Sequence, residues 1–380
     1  LLLAASAALL GGKSAHADDT GAAHSIGYRF NVYDEDALAE PVVGDPKRYH
    51  VDSQQVALDT RVAARDTLSV NAVHEVMSGS SPWYVLPDAQ HRPIQVLSGA
   101  TIRDHRSAIN ATWTHDDGGN DTRSVNVAYS AERDYHATAV GAARSMPLTQ
   151  ALTLAFGASF SHDLIRPTDA VLYGRIARAQ KNTASVFGGL TFVLDKSSVV
   201  ETGIQLNRQT GYLSDPYKLV SVGADIDPDT RPSLRTEAAW LVRYRYAATA
   251  TGALHADARV AVNSWGQHSL ALEAAWYQSL RGGWRLVPGL RYYSQDSARF
   301  YAPFFDTNDV RYFSSDYRLG GFGAISAHLD LRKRFGRWEL DAGAERYHAT
   351  TGYALDGADQ ANPGTVSYTR LYAGLDFHFD

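Results

Sequence analysis

Apolar residues recur at every second position in segment after segment of this chain, and no stretch carries the 3.6-residue period of an amphipathic helix. In "ALHADARVAV" (253–262), Leu254, Ala256, Ala258, Val260 and Val262 fall on one side of an extended chain. His255, Asp257 and Arg259 fall on the other. The same two-faced pattern runs through 152–160, 184–194, 238–246, 270–276 and 317–331. The chain is therefore all-β. What remains open is whether the apolar faces meet each other in a soluble core or meet lipid around a ring.

Connection lengths favour the ring. Tight turns occur at Asp117-Gly118-Gly119-Asn120, Asp195-Lys196-Ser197, Arg281-Gly282-Gly283 and Arg334-Phe335-Gly336. They alternate with longer polar or Pro-containing stretches at 35–48, 78–98, 163–181, 210–235, 296–314 and 351–365. An up-and-down barrel of the outer-membrane kind alternates in this way, with short periplasmic turns and long outer loops. The strands are expected at 25–34, 49–63, 66–77, 99–115, 121–131, 134–145, 150–162 and 182–194. The second half adds 198–209, 236–248, 253–264, 268–280, 284–295, 315–332, 337–350 and 366–379. Sixteen is an even number, so both ends return to the same side.

The first residues point to export. The apolar run "LLLAASAALL" precedes Ala15-His16-Ala17, a small-x-small cleavage pattern, and then Asp18-Asp19. This reads as a secretory signal over 1–17, with the barrel occupying 18–380. No later run reaches the roughly 18 apolar residues of a membrane helix.

Trp113, Trp284 and Trp338 stand beside short turns and in phase with the apolar faces, where an interfacial aromatic girdle is expected. The C-terminus "LYAGLDFHFD" alternates Leu371, Ala373, Leu375, Phe377 and Phe379, with Asp380 trailing. It resembles the aromatic ending by which barrel-assembly machinery recognises its clients. The expected surroundings are thus outer-membrane lipid. The competing reading is a secreted soluble β-protein.

Several stretches resemble an uncharacterised bacterial outer-membrane β-barrel family, a domain of unknown function of the DUF3570 type. They are "YRFNVYDED" (28–36), "MSGSSP" (77–82), "AERDYHATAVG" (131–141), "GYLSDPYK" (211–218), "LRYYSQDSARFY" (290–301), "SSDYRLGGFGA" (314–324) and "LDAGAERY" (340–347). Members of that family are often encoded near a flavin-attaching transferase, a thioredoxin-like protein and a small lipoprotein. The resemblance implies a membrane partner in extracytoplasmic redox chemistry, with a lipoprotein or flavoprotein as the redox partner. No catalytic residue set carries over from the family. The chain departs from it at Asn263-Ser264-Trp265, where the family tends to place acidic residues.

Candidate chemistry is sparse. The formal net charge is −5 without a basic block, which argues against nucleic acid. The absence of Cys excludes disulfides, Fe–S ligation and covalent haem. No nucleotide or phosphate motif appears, so no cofactor is expected on this chain. In "SFSHD" (159–163), Ser161, His162 and Asp163 are adjacent, but neighbours on a strand point to opposite faces, which argues against a hydrolase.

Strand parity names His255, Asp257, Arg259, Arg243, Arg245, Arg291, Arg318, Asp330 and Glu345 as lumen residues, with Glu201, Glu273, Glu339 and Asp341 in phase. An acidic outer rim is expected from Asp34, Glu35, Asp36, Asp134, Asp296 and Asp316, which would concentrate cations at the mouth. Specific metal binding stays open, because "ADIDPDT" (224–230) lacks the Gly and Glu of a Ca²⁺ loop. A ring of about sixteen strands is wide enough for a water channel. The functions expected are a porin-like conduit, with inward-folding loops 210–235 and 296–314, or a non-conducting scaffold for a redox partner. No enzymatic activity is expected.

Overall fold

The computed structural model describes residues 23–38, 42–98, 102–307 and 309–380. The expected leader and the mature start at Asp18 lie outside these residues. In chain order the strands are β1 (His24–Glu35), β2 (Val42–Val43), β3 (His50–Ala63), β4 (Asp66–Gly79), β5 (Pro82–Pro87), β6 (Pro93–Leu97) and β7 (Ile102–Gly118). They continue with β8 (Asp121–Ala131), β9 (Tyr135–Pro147), β10 (Leu152–Ile165), β11 (Ala179–Val193), β12 (Ser198–Gly211), β13 (Leu219–Val222) and β14 (Asp225–Pro228). The last are β15 (Leu234–Ala247), β16 (Gly252–Asn263), β17 (His268–Leu280), β18 (Trp284–Gln295), β19 (Phe322–Phe335), β20 (Trp338–Thr350) and β21 (Tyr368–Phe379).

Sixteen of the described strands close into one antiparallel barrel, and β1 seals it by pairing with β21 from His24↔Phe379 to Glu35↔Tyr368. Each barrel strand pairs with its sequence neighbours in the ring, so the topology is up-and-down. The remaining five strands form two small sheets, β2-β6-β5 and β13-β14, within the long connections.

Turn chemistry sets one end of the barrel. Between β7 and β8, Gly119 and Asn120 both have positive φ (62° and 68°), the geometry of a two-residue type I′ hairpin. These residue types tolerate it where a β-branched residue would not. The outward face of the strands is apolar: Leu290 is 62% exposed and Ile204 58%. Trp113, Trp284 and Trp338 are each close to 40% exposed and line the turn end of that face. No helix among the described residues is long and apolar enough to cross a membrane. A barrel of this type crosses with strands.

One boundary differs from the expectation by more than three residues. The strand read at 315–332 begins only at Phe322. Residues 317–319 form a 3-10 turn whose N-cap, Asp316, accepts a hydrogen bond from the Arg318 amide. The alternation of Tyr317 and Leu319 mimicked a strand, but Leu319 is buried against Trp265, Ala298 and Tyr301 rather than facing outward.

The long connections fold over their end of the barrel and pack together. Val85, Val96, Leu97, Val220 and Val222 are buried there, within the small sheets that period-two reading did not resolve. Three of these connections lie at wide intervals round the ring. The β4–β7 and β12–β15 connections are six strands apart, β4–β7 and β18–β19 six, and β12–β15 and β18–β19 four. Every pair of the three is nevertheless in contact. Lys218 Nζ donates to the Pro82 carbonyl, His91 Nε2 lies 3.3 Å from Asp306 Oδ1, and Arg231 Nη2 lies 2.8 Å from Asp316 Oδ2. Three chords therefore cross the mouth.

Candidate functional site

The lumenal wall is built by strand parity. On β12, β15 and β16 the inward positions carry charge, and the register places opposite signs side by side. Arg243 Nη1 lies 3.2 Å from Glu201 Oε1, and Arg259 Nη2 lies 2.7 Å from Glu237 Oε1. Arg245 forms a two-point pair with Asp257, its Nη2 3.1 Å from Oδ2. His255 packs its ring 4.0 Å from that of Tyr277. Arg291 is in register with Glu273. Tyr372 donates to Asp330 at 2.6 Å, and Arg370 Nη2 lies 3.0 Å from Glu345 Oε2.

Arg29, Arg235, Glu237, Arg332 and Arg370 also join these ladders. The sequence reading omitted them, although they share parity with residues it chose: Arg332 with Asp330, and Glu237 with Arg243. The facing part of the wall has a different character. On β8 to β11 the inward positions include Ser124, Ala128, Ala139, Gly141, Ser159 and Ser185, small and uncharged, in continuous register. One arc is charged along its length, and the other is mostly small, with Phe187 and the Asp163–Lys181 pair as its exceptions.

Arg318 is not on this wall. It lies in the 3-10 turn above it, with its Nη2 2.6 Å from Asp215 Oδ2 and its Nε 2.9 Å from Asp316. Asp316, expected at a solvated rim, is fully buried. It is held between Arg318 and Arg231, and Arg231 also reaches Asp229 Oδ2 at 2.7 Å. Burial alone would raise the Asp316 pKa, but Arg318, Arg231 and Lys218 hold it well below the usual carboxylate range. Burial pushes the Lys218 ammonium down to about 8 despite the pull of Asp316. The Lys218 and Arg48 cations stand 5.6 and 5.7 Å from the Tyr317 ring centre. These groups close a charged knot in the middle of the cap.

The other rim carboxylates are engaged as well. Asp34 pairs with His50, Asp36 with Arg346, and Glu35 with Arg48 at 2.8 Å. Asp296 Oδ2 lies 2.8 Å from His268, and Asp134 accepts from the Tyr217 hydroxyl.

Asp134 also belongs to the one grouping with metal-ligand spacing among the described residues, with Asp104 and Glu132, their ligand atoms within 4.8 Å of one another. Burial, then Asp134 and Asp104, push Glu132 up to about 7. Arg106 Nε stands 3.7 Å from Glu132 and supplies positive charge where a cation would.

The Ser161-His162-Asp163 run does not converge. His162 faces outward and meets Asn182 Oδ1 at 2.8 Å, whereas Asp163 faces inward to Lys181 Nζ at 2.8 Å. Trp265 is buried in the cap with its indole donating to the Leu234 carbonyl at 2.9 Å. The connection at Asn263-Ser264-Trp265 is therefore a packing element.

A family model described as "Protein of unknown function (DUF3570)" matches residues 1–376. The chain belongs to this family. No curated protein matches it.

Solved structures similar to this DUF3570 chain include the siderophore receptor PirA of Pseudomonas aeruginosa, at 11% identity and a TM-score of 0.44. That match covers 92% of this chain and 61% of PirA, so the chain spans less than two thirds of the receptor's length. A loop-deletion mutant of OmpT, an outer membrane protein of Vibrio cholerae, matches at 11% identity and 0.42, covering 94% of this chain and 98% of OmpT. A bacterial polysaccharide outer membrane secretin matches at 9% and 0.48, covering 94% and 98%. These are likenesses of fold.

Proposed function

We propose that this DUF3570 protein is an outer-membrane conduit whose outer mouth is closed at rest by its own loops. The observation that carries this reading is the set of three chords across the mouth. Loops extending away from a pore would have no reason to bury Asp316, Arg231 and Lys218 against each other. Burying such charges is costly unless they are paired, so the arrangement specifies one closed geometry. Below the cap, the mostly small side chains of β8 to β11, Phe187 and the Asp163–Lys181 pair apart, leave that arc of the wall thin, as suits a ring wide enough for water. Selectivity in this reading does not come from the rim, because its carboxylates already face His, Arg or Tyr partners. The chain itself does no covalent chemistry.

The test is planar-bilayer recording of the purified chain beside Asp316→Asn and a variant with 214–231 replaced by a short Gly/Ser linker. Near-silent wild type with conducting steps in both variants is expected. Silence in all three, together with a small lipoprotein or flavoprotein retained on purification from the native membrane, would overturn the conduit in favour of the scaffold.

A further inference from the structure

Cations in and beside the long connections mostly have an acid next to them: His50 with Asp34, Arg346 with Asp36, Arg92 with Asp88 and His268 with Asp296. The β10–β11 connection breaks that pattern. Residues 166–178 carry Arg166, Arg175 and Arg178 against Asp169 alone, whereas the other long connections are neutral or acidic by formal charge. Arg175 is engaged by the Tyr173 and Tyr217 rings, at 4.4 and 4.6 Å. Arg166 and Arg178 are exposed, and among the described residues neither side chain has a hydrogen bond or an ion pair. Asp134, whose carbonyl receives the Arg166 amide, gives its carboxylate to the Tyr217 hydroxyl.

Parity places the pair on the outside. The outward ladder of β10 and β11 runs Phe160–Ala184, His162–Asn182, Leu164–Gln180, and the step beyond Ile165↔Ala179 sets Arg166 beside Arg178. Like charges side by side across a ladder repel, so the pair calls for an anion. Depth says which. Leu152 opens β10 directly after a tight turn, as Trp284 and Trp338 open β18 and β20, so it stands level with the turn-end aromatic ring. Arg166 is 14 residues further along. At ~3.3 Å per residue and a tilt of ~40°, that is roughly 35 Å above the ring. It lies past an apolar band ~25 Å tall and within a bilayer ~40–45 Å thick with its headgroups. Lipid phosphates stand at that level. Between the two arginines the connection leaves Val171 96% and Leu172 76% exposed. Basic and apolar side chains on one short segment suit a membrane interface.

We infer that the outward face of the β10–β11 connection binds the headgroup phosphate of an outer-leaflet lipid, an inference that rests on the outer-membrane placement and not on conduction. Two guanidinium groups present forked N–H donors that match phosphate oxygens. Val171 and Leu172 meet the apolar part of the same lipid. A free phosphate would use the arginines and leave those two side chains in water. A protein partner would have to reach down a lipid-facing wall to headgroup depth.

The test is native mass spectrometry of the full chain in detergent, with diphosphoryl lipid A, the same lipid stripped of its phosphates, or inorganic phosphate added. The unsubstituted protein should retain the diphosphoryl lipid in preference to the stripped one. Arg166→Gln combined with Arg178→Gln should cut that retention about tenfold, the scale of losing charge-assisted hydrogen bonds. Leu172→Ser should lower it as well, whereas Arg281→Gln at the turn end should not. Heat-modifiable migration checks that each variant is a folded barrel. Equal retention by the unsubstituted protein and the double variant would overturn the site, and displacement of the lipid by inorganic phosphate would overturn the lipid in favour of a free anion. Both results leave the outer-membrane placement standing, which only a loss of heat-modifiability in the unsubstituted protein would remove.

Discussion

Arg231 Nη2 donates to Asp316 Oδ2 at 2.8 Å although β15, β16, β17 and β18 separate their connections on the ring. That bond, with Arg318 on the other side of the same carboxylate, ties two loops that the barrel alone would leave apart. Its loss should loosen the mouth without opening the wall.

Asp316→Asn leaves Arg231 and Arg318 without their shared charge in a buried site, a change that costs about 3–5 kcal/mol in comparable pairs. The expected outcome is faster amide exchange across 212–233 and 300–319, with β16 unchanged. Asp296→Asn removes a half-exposed partner of His268 and should shift stability by less than ~1 kcal/mol. Equal exchange in the two variants would show that the buried pair does not hold the cap.

Glu132 gives the outer rim a pH dependence of determinate sign. Burial and the neighbouring Asp134 and Asp104 raise its pKa from 4.5 to about 7. Between those values the folded chain binds a proton that the unfolded chain has released. The stabilisation is full below pH 4.5 and declines as pH rises toward 7. Chemical unfolding in detergent at pH 5 and pH 7.5 should show wild type losing stability across this interval. Glu132→Gln should lose less, and matching slopes would contradict the assignment.

What was legible in the sequence follows from where the physics is local. The barrel strands alternate because each has one lumenal and one outward face, so Leu254 and His255 sort by parity without any tertiary knowledge. The Asp117–Asn120 turn and the three tryptophans are local signals in the same sense. The cap is not. Asp316 is buried by Arg231, 85 residues away in sequence, and Lys218 by Pro82, 136 away. No periodicity encodes such meetings, and a buried paired carboxylate reads in sequence like a solvated one. Tyr317 and Leu319 show the opposite error, an alternation that belongs to a turn.

Within the lumen, the number of partners a carboxylate serves should decide its worth. Glu237 meets Arg259 at 2.7 Å and Arg235 at 3.0 Å, and its side chain is 17% exposed. Among the described residues Glu201 meets only Arg243, at 3.2 Å, and it is 43% exposed. Glu201→Gln should therefore fall within the ~0–1 kcal/mol of solvent-screened pairs. Glu237→Gln strands two guanidinium groups and should cost about 1–3 kcal/mol. Urea unfolding in thin-bilayer vesicles measures both, and the ranking fails if Glu201→Gln proves the more damaging.

Close packing of the wall gives the last prediction. Gly343 lies on β20 where a Cβ would come within 2.4 Å of Asp330 Oδ1 and 2.4 Å of the Tyr372 ring. The missing side chain is what allows Tyr372 to lie against the wall and donate to Asp330 at 2.6 Å. Gly343→Ala must displace that pair, and overpacking of this kind typically costs about 1–3 kcal/mol. Gly188 on β11 is the control, because no described residue beyond its chain neighbours lies within 4 Å of its added Cβ. Relief of glycine's backbone entropy there should stabilise the strand by about 0.5–1 kcal/mol. Opposite signs for the two substitutions are thus expected from one chemical change. If Gly343→Ala unfolds at the same urea concentration as wild type, the Tyr372–Asp330 contact is not a fixed part of the wall.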